Sequence, residues 1–108
     1  MPIFIKTEKF KPKTLELSNN ERKKFLLMHK EWVKNIIKSG NCIHSGYLTD
    51  ENKIPGGGGL LIIEAKDYST AKKIIEKDPM IENELVFWKL QEWIPINANQ
   101  TTLSIHLG

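Results

Sequence analysis

The order of the elements predicted from hydrophobic periodicity is the strongest constraint on the fold of this chain. Two amphipathic helical patterns alternate with four short segments rich in β-branched, aliphatic and aromatic residues. Their order, strand–helix–strand–strand–helix–strand, is the split βαβ or ferredoxin-like arrangement. The sequence therefore predicts an α+β fold, βαββαβ, with two helices on one face of a four-stranded antiparallel sheet. The predicted strands span 2–10, 42–48, 60–65 and 85–93, the helices 19–39 and 69–77, and a turn-rich loop 49–59.

Local signals mark the ends of both helices. Ser18 and Glu21 have the spacing of a capping box, so we expect the first helix to begin directly after Ser18. Gly40 follows that helix at the usual stop position. Ser69 is the predicted N-cap of the second helix. Helix is disfavoured at Asp78, because the next residue is a proline.

The sheet is predicted to have two apolar faces. In the third strand Leu60 and Ile62 point one way, and Leu61 and Ile63 point the other. Two helices on one side leave the second face uncovered, and a large exposed apolar face marks an interaction surface. We therefore expect a homodimer that packs sheet against sheet about a twofold axis.

Composition and charge narrow the class of protein. The 108 residues suit one domain, and a net charge of +3 from dispersed lysines is weak for a nucleic-acid-binding protein. RNA-recognition modules share this strand order but stack bases on sheet aromatics, whereas 60–63 is aliphatic. That run is too short to span a bilayer, and the N-terminus lacks a secretory pattern. With one cysteine, Cys42, we expect a cytoplasmic protein that binds neither nucleic acid nor membranes.

A histidine interrupts the apolar stripe of the first helix. At about 100° per residue, Phe25, Trp32 and Ile36 fall close to one line, and His29 lies within the same arc. A titratable ring that faces the core needs a hydrogen-bonding partner or a cavity, because a buried polar group without one is costly. His29 is therefore the first candidate for chemistry.

A carboxylate is predicted to lie opposite His29. At helical spacing Asp78 falls on the same side as Ala71 and Ile75, and its distance from the second helix start matches that of His29 from the first. At a rise of about 1.5 Å per residue, both groups lie at a similar height between helices and sheet. A carboxylate that orients an imidazole makes it a general acid or base near neutral pH. The alternative is a purely structural hydrogen bond between His29 and Asp78.

Three further residues are candidate substrate contacts. His44 and Ser45 face opposite ways on the second strand, so one of them is expected to reach the layer beside His29. Trp32 lies one helical turn from His29, although an aromatic residue at that spacing is more often part of the core. No cluster of Cys and His has metal-ligand spacing, so we expect no metal. The run 56–59 lacks the pattern of a phosphate-binding loop.

Several of these residues occur together, in this order, in one family. The stretches HKEWVKNIIKSGNCIHSGYL and PGGGGLLIIEAKDYSTAKKIIEKDPMIENEL resemble the YCII-related domain family. The resemblance covers about residues 2–95, so we expect a domain over 1–95 and a tail over 96–108, with an added strand at 103–107 as one alternative. The shared positions are His29, Gly40, Ser45-Gly46, Gly58-Gly59 and Asp78-Pro79.

The resemblance implies a dimeric α/β-barrel protein with a ferredoxin-like subunit and an active-site pocket that contains His29 and Asp78. One branch of the family is similar to dehydrochlorinases of aromatic degradation, and the wider superfamily includes muconolactone isomerases and cofactor-free monooxygenases. We therefore expect a small-molecule enzyme that needs no cofactor and performs an elimination, isomerisation or lactone-type reaction on a small cyclic or aromatic compound. The alternative is a homodimer that binds a small molecule without catalysis.

Overall fold

A computed structural model describes residues 1–97 of the chain and has the predicted βαββαβ order, with two additional short helices. The fold class predicted from the sequence is thereby confirmed. The predicted strand within 103–107 lies outside the described residues. The elements are β1 Ile3–Phe10, α1 Pro12–Leu15, α2 Asn19–Lys38, β2 Ile43–Thr49, β3 Pro55–Glu64, α3 Tyr68–Ile75, α4 Pro79–Glu82 and β4 Val86–Trp93.

The four strands form one antiparallel sheet in the order β2-β3-β1-β4. On central strand β1, Phe4 pairs with Ile63 of β3, and Lys6 lies between Leu61 and Leu90 on the two neighbouring strands. These side chains face α2 and α3, so the core lies between the helices and one sheet face. Its buried apolar members are Phe4, Ile36, Ile43, Leu61, Ile63, Ala65, Ala71, Ile75 and Leu90.

The first long helix begins and ends where its caps predict. The Ser18 hydroxyl accepts a hydrogen bond from the Glu21 N–H at 3.2 Å. Gly40, just past the end of α2, has φ of 90°, a conformation that glycine adopts without strain. The predicted cap of the next helix is wrong, because Asp67 takes that role and its carboxylate accepts from the Thr70 N–H at 2.8 Å. A carboxylate already satisfies the first turn, so α3 begins ahead of Ser69.

The glycine run belongs to a strand. The predicted loop is wrong from Pro55 onward, because β3 begins there and pairs with both β1 and β2. A Cβ atom on Gly59 would lie 3.2 Å from Glu8 Cγ and 3.3 Å from the Gly46 carbonyl oxygen. Glycine therefore lets the Glu8 side chain and strand β2 approach β3 closely.

The other sheet face carries no helix. The alternation of each strand directs Ile5, Leu60, Ile62 and Phe87 to this side, which we call the open face. Phe87 is 60% exposed. The predicted second apolar face is therefore present in the single subunit. No helix within residues 1–97 combines the length and hydropathy needed to cross a membrane.

Candidate active site

His29 lies in the middle of α2, where its side chain is 16% exposed. Its Nδ1 is 2.9 Å from Oδ1 of Asp78, a residue 49 positions further along the chain. Asp78 follows the end of α3 and caps α4, so the contact joins the middle of one helix to the start of another. The structure thus brings together the two residues that helical spacing singled out.

The Asp78 carboxylate is fully buried, and both of its oxygens have partners. Oδ1 accepts the Met80 N–H at 3.0 Å in addition to His29, while Oδ2 lies 3.3 Å from Lys6 Nζ. Burial acts to raise the pKa of Asp78, yet the hydrogen bond and charge of His29 oppose it. The Lys6 ammonium and the Met80 N–H act in the same direction, so this pKa lies below its ordinary value.

The second ring nitrogen of His29 points to β2. Its Nε2 lies 3.0 Å from Oγ of Ser45, an exposed residue on the helix-facing side of the strand. Ionised Asp78 accepts a hydrogen bond, which places the proton of a neutral imidazole on Nδ1. The Nε2 lone pair then accepts from the Ser45 hydroxyl. The arrangement presents one proton acceptor, held by a carboxylate, at a position that solvent reaches.

The other two candidate contacts fall in different places. His44 pairs with Ile62 and faces the open side of the sheet, so Ser45 is the one of the two strand residues that reaches His29. The reason is strand alternation, because Ser45 occupies the helix-facing position. Trp32 lies beside His29 with ring centroids 5.7 Å apart, and it also packs against the core. Trp32 therefore borders the site at its buried side.

Sequence reasoning missed Lys6 and Glu8. Lys6 is fully buried, and its Nζ forms ion pairs with Asp78 and with the Glu8 carboxylate. Strand alternation contained the signal: Lys6 and Glu8 share a face with Phe4 and Phe10 at either end. A lysine between apolar core positions on a central strand requires a buried anion. Within residues 1–97, no group of three or more His, Cys, Asp or Glu side chains is suited to hold a metal ion.

Comparison with solved structures identifies similar folds. One is 5-chloro-2-hydroxyhydroquinone dehydrochlorinase (TftG) from Burkholderia phenoliruptrix AC1100, in complex with 2,5-dihydroxybenzoquinone. It is 20% identical over 85% of this chain and 93% of its own, with a TM-score of 0.63. Another is an antibiotic biosynthesis monooxygenase, 13% identical over 90% of this chain and 100% of its own, with a TM-score of 0.55. At these identities the likeness shows the fold.

The family follows from a separate comparison. No curated protein matches the chain. The model of the YCII-related domain matches residues 3–90, a span from the first strand into the last. It contains His29, Ser45 and Asp78, together with Lys6 and Glu8. The chain therefore belongs to the YCII-related domain family.

Proposed function

We propose that this protein is a small-molecule enzyme in which His29 transfers a proton and Asp78 orients and stabilises its ring. The observation that carries this proposal is the linear set of contacts from Ser45 Oγ to His29 Nε2, and from His29 Nδ1 to Asp78 Oδ1. The same order of hydroxyl, imidazole and carboxylate raises the basicity of histidine in well-known enzymes. Here the hydroxyl end is exposed, so a substrate reaches it.

The proposed reaction begins with neutral His29. Nε2 takes a proton from an acidic O–H or C–H group of the substrate, and the resulting imidazolium stays hydrogen-bonded to ionised Asp78. Ser45, released from Nε2, is free to hold a substrate oxygen, and the Trp32 ring borders the space beside it. The imidazolium then returns its proton to the product or to water. This scheme covers elimination, isomerisation and lactone-type reactions of a small cyclic or aromatic compound, and it requires no cofactor.

The structural comparison supplies the first compound to test. The name dehydrochlorinase describes the loss of hydrogen chloride from 5-chloro-2-hydroxyhydroquinone by the similar protein. Such a reaction needs a base for the proton, while chloride leaves with the electron pair of the carbon–chlorine bond. A histidine held by a carboxylate meets that requirement. The shared fold and the His29 geometry together support elimination of hydrogen chloride as the first reaction to assay.

The test is chloride release from 5-chloro-2-hydroxyhydroquinone by the wild type and by H29Q. We expect H29Q to lose a factor of about 10²–10⁴ in turnover, the range of general acid–base catalysis. H44Q is the matched control. His44 lies on the opposite sheet face from His29, so H44Q should keep wild-type turnover. Equal turnover by H29Q would refute the role of His29. Binding of 2,5-dihydroxybenzoquinone without any chloride release would instead support the non-catalytic alternative.

We also propose that the protein works as a homodimer joined through the open face. Half-buried Ile5 and Ile62 and the exposed Phe87 side chain leave apolar area that one subunit cannot cover. Sedimentation of I62K should give a monomer where the wild type gives a dimer. L27K changes an exposed leucine of α2 and should remain dimeric. A wild type that sediments as a monomer would refute the assembly.

A cytoplasmic location also stays a prediction.

A further inference from the structure

We propose that Lys6 and Glu8 are positioning residues that tune the proton affinity of His29 through Asp78, with opposite signs. The functional meaning of this inference rests on the proposed role of His29. Neither residue forms a hydrogen bond or ion pair with the ring, whose partners are Asp78 and Ser45. They complete a continuous chain of contacts in which carboxylates and nitrogen bases alternate: Glu8, Lys6, Asp78 and His29.

Lys6 is held in an unusual place for a lysine. It projects from the centre of the sheet and is fully buried, and its ammonium lies between the carboxylates of Glu8 and Asp78. A buried ammonium without a partner is strongly disfavoured, so each of these contacts stabilises Lys6 in its place. No buried polar side-chain atom within residues 1–97 lacks a hydrogen-bond partner. The network is therefore complete as it stands.

The contact with Lys6 has a consequence for the orientation of Asp78. Because Oδ2 lies against the ammonium, Oδ1 remains for His29 and the Met80 N–H. The ammonium charge is also one of the interactions that hold the pKa of Asp78 below its ordinary value despite burial. An ionised, oriented carboxylate keeps the proton of neutral His29 on Nδ1 and leaves Nε2 free to act as a base.

The charges of the network do not cancel when His29 is neutral. One ammonium and two carboxylates sum to −1, and a proton on His29 brings the sum to zero. Lys6 and Asp78 are fully buried, where water screens charges weakly, so the extra carboxylate favours the imidazolium. Glu8 thus strengthens His29 as a base, and Lys6 weakens it. Removal of Lys6 should therefore raise the proton affinity of His29, and removal of Glu8 should lower it.

The elements packed around His29 bring few other charged side chains close to the network. Tyr47 is the one titratable residue on the helix-facing side of β2, one register step beyond Ser45, and it is 72% exposed. On α2 the residues one turn from His29 on its apolar side are Phe25 and Trp32. Glu82, on α4, is exposed. The facing residues of β3 and β4 are uncharged: Gly59, Leu61, Trp88 and Leu90.

The experiment follows the ¹⁵N and ¹H signals of the histidine rings against pH in the wild type, K6M and E8Q. The chain has three histidines, and the signals missing from H29Q identify those of His29. We expect K6M to raise the midpoint of the His29 titration by about one pH unit and E8Q to lower it by a similar amount. K9M removes an exposed lysine whose side chain faces away from the network, and it should leave the midpoint unchanged.

The sign of the shifts decides the outcome. Opposite shifts for K6M and E8Q support the proposal, since a loosened fold would move both in one direction. Shifts of the same sign, or midpoints equal to that of K9M, would overturn it. If K6M does not fold, the test rests on E8Q, because the Glu8 side chain is 11% exposed and lies at the end of the network. In that case an E8Q midpoint that is not lower than that of K9M would overturn the proposal. The titration requires no substrate, so its failure is separate from a failure of the chloride-release assay.

Discussion

Replacement of Asp78 by asparagine tests whether the buried carboxylate stabilises the fold through its charge. The side-chain amide oxygen introduced by D78N still accepts the Met80 N–H, but the negative charge beside Lys6 is lost. Removal of one partner from a buried ion pair costs about 3–5 kcal/mol. Because Lys6 retains Glu8 as a partner, we expect a smaller loss, about 2–3 kcal/mol, at neutral pH. For a domain of this size the loss corresponds to a fall in Tm of about 10–20 °C.

The pH dependence gives the sharper result. The folded-state pKa of Asp78 is lowered, so its ionised form contributes stability that is complete above its ordinary pKa. That contribution is lost as the pH falls through the lowered, folded-state value. The difference between wild type and D78N should therefore be largest above about pH 5 and shrink steadily toward about pH 2. Urea unfolding, followed by tryptophan fluorescence at constant protein concentration, measures this difference.

The matched control is D67N. Asp67 is an exposed N-cap, and asparagine caps a helix about as well as aspartate, so the same chemical change should have little effect at neutral pH. A difference between wild type and D78N that stays constant from neutral to acidic pH would refute the electrostatic reasoning. So would a difference that grows as the pH falls. Either result would mean that shape and packing of Asp78, not its charge, stabilise the site.

Three further substitutions test the packing that supports the site, each by urea unfolding. L61A removes a fully buried side chain facing the helices and should cost about 2–5 kcal/mol, and a cost below about 1 kcal/mol would contradict this core assignment. T14V removes the hydroxyl that donates to the Leu85 carbonyl at 2.6 Å, so we expect a loss of about 1–3 kcal/mol, whereas an unchanged midpoint would argue against the bond. G59A places a Cβ 3.2 Å from Glu8 Cγ and should cost about 1–3 kcal/mol, while wild-type stability would show that Glu8 moves aside freely.

Much of the fold was predictable because its signals are local. The alternation of β1, the capping pair Ser18 and Glu21, and the stop at Gly40 each depend on neighbours in sequence, and the structure has them as predicted. Helical spacing also singled out His29 and Asp78. The details differ, since α3 ends at Ile75 and Asp78 caps the short helix that follows. The Asp78 side chain nevertheless reaches His29, with Oδ1 2.9 Å from Nδ1.

Other features were not predictable from local patterns. The glycines before Leu60 have the composition of a loop, but β1 and β2 pair with this segment. Where a strand begins depends on the strands that pair with it, and local sequence does not show these. Asp67 competed with Ser69 as a cap, and local preference does not separate two good capping residues. Local sequence does not show which of His44 and Ser45 faces the helices, because that depends on the register of β2 against β3.

The sequence by itself determined the order of the elements, the helix ends marked by strong caps and the apolar character of both sheet faces, because these follow from backbone propensity and periodicity. Only the tertiary structure decided that Lys6 lies between Glu8 and Asp78, and that His29 joins Asp78 to Ser45. Those contacts link residues from strands and helices far apart in the chain. Their existence depends on how the layers pack, and burial then turns ordinary charged side chains into an interdependent network.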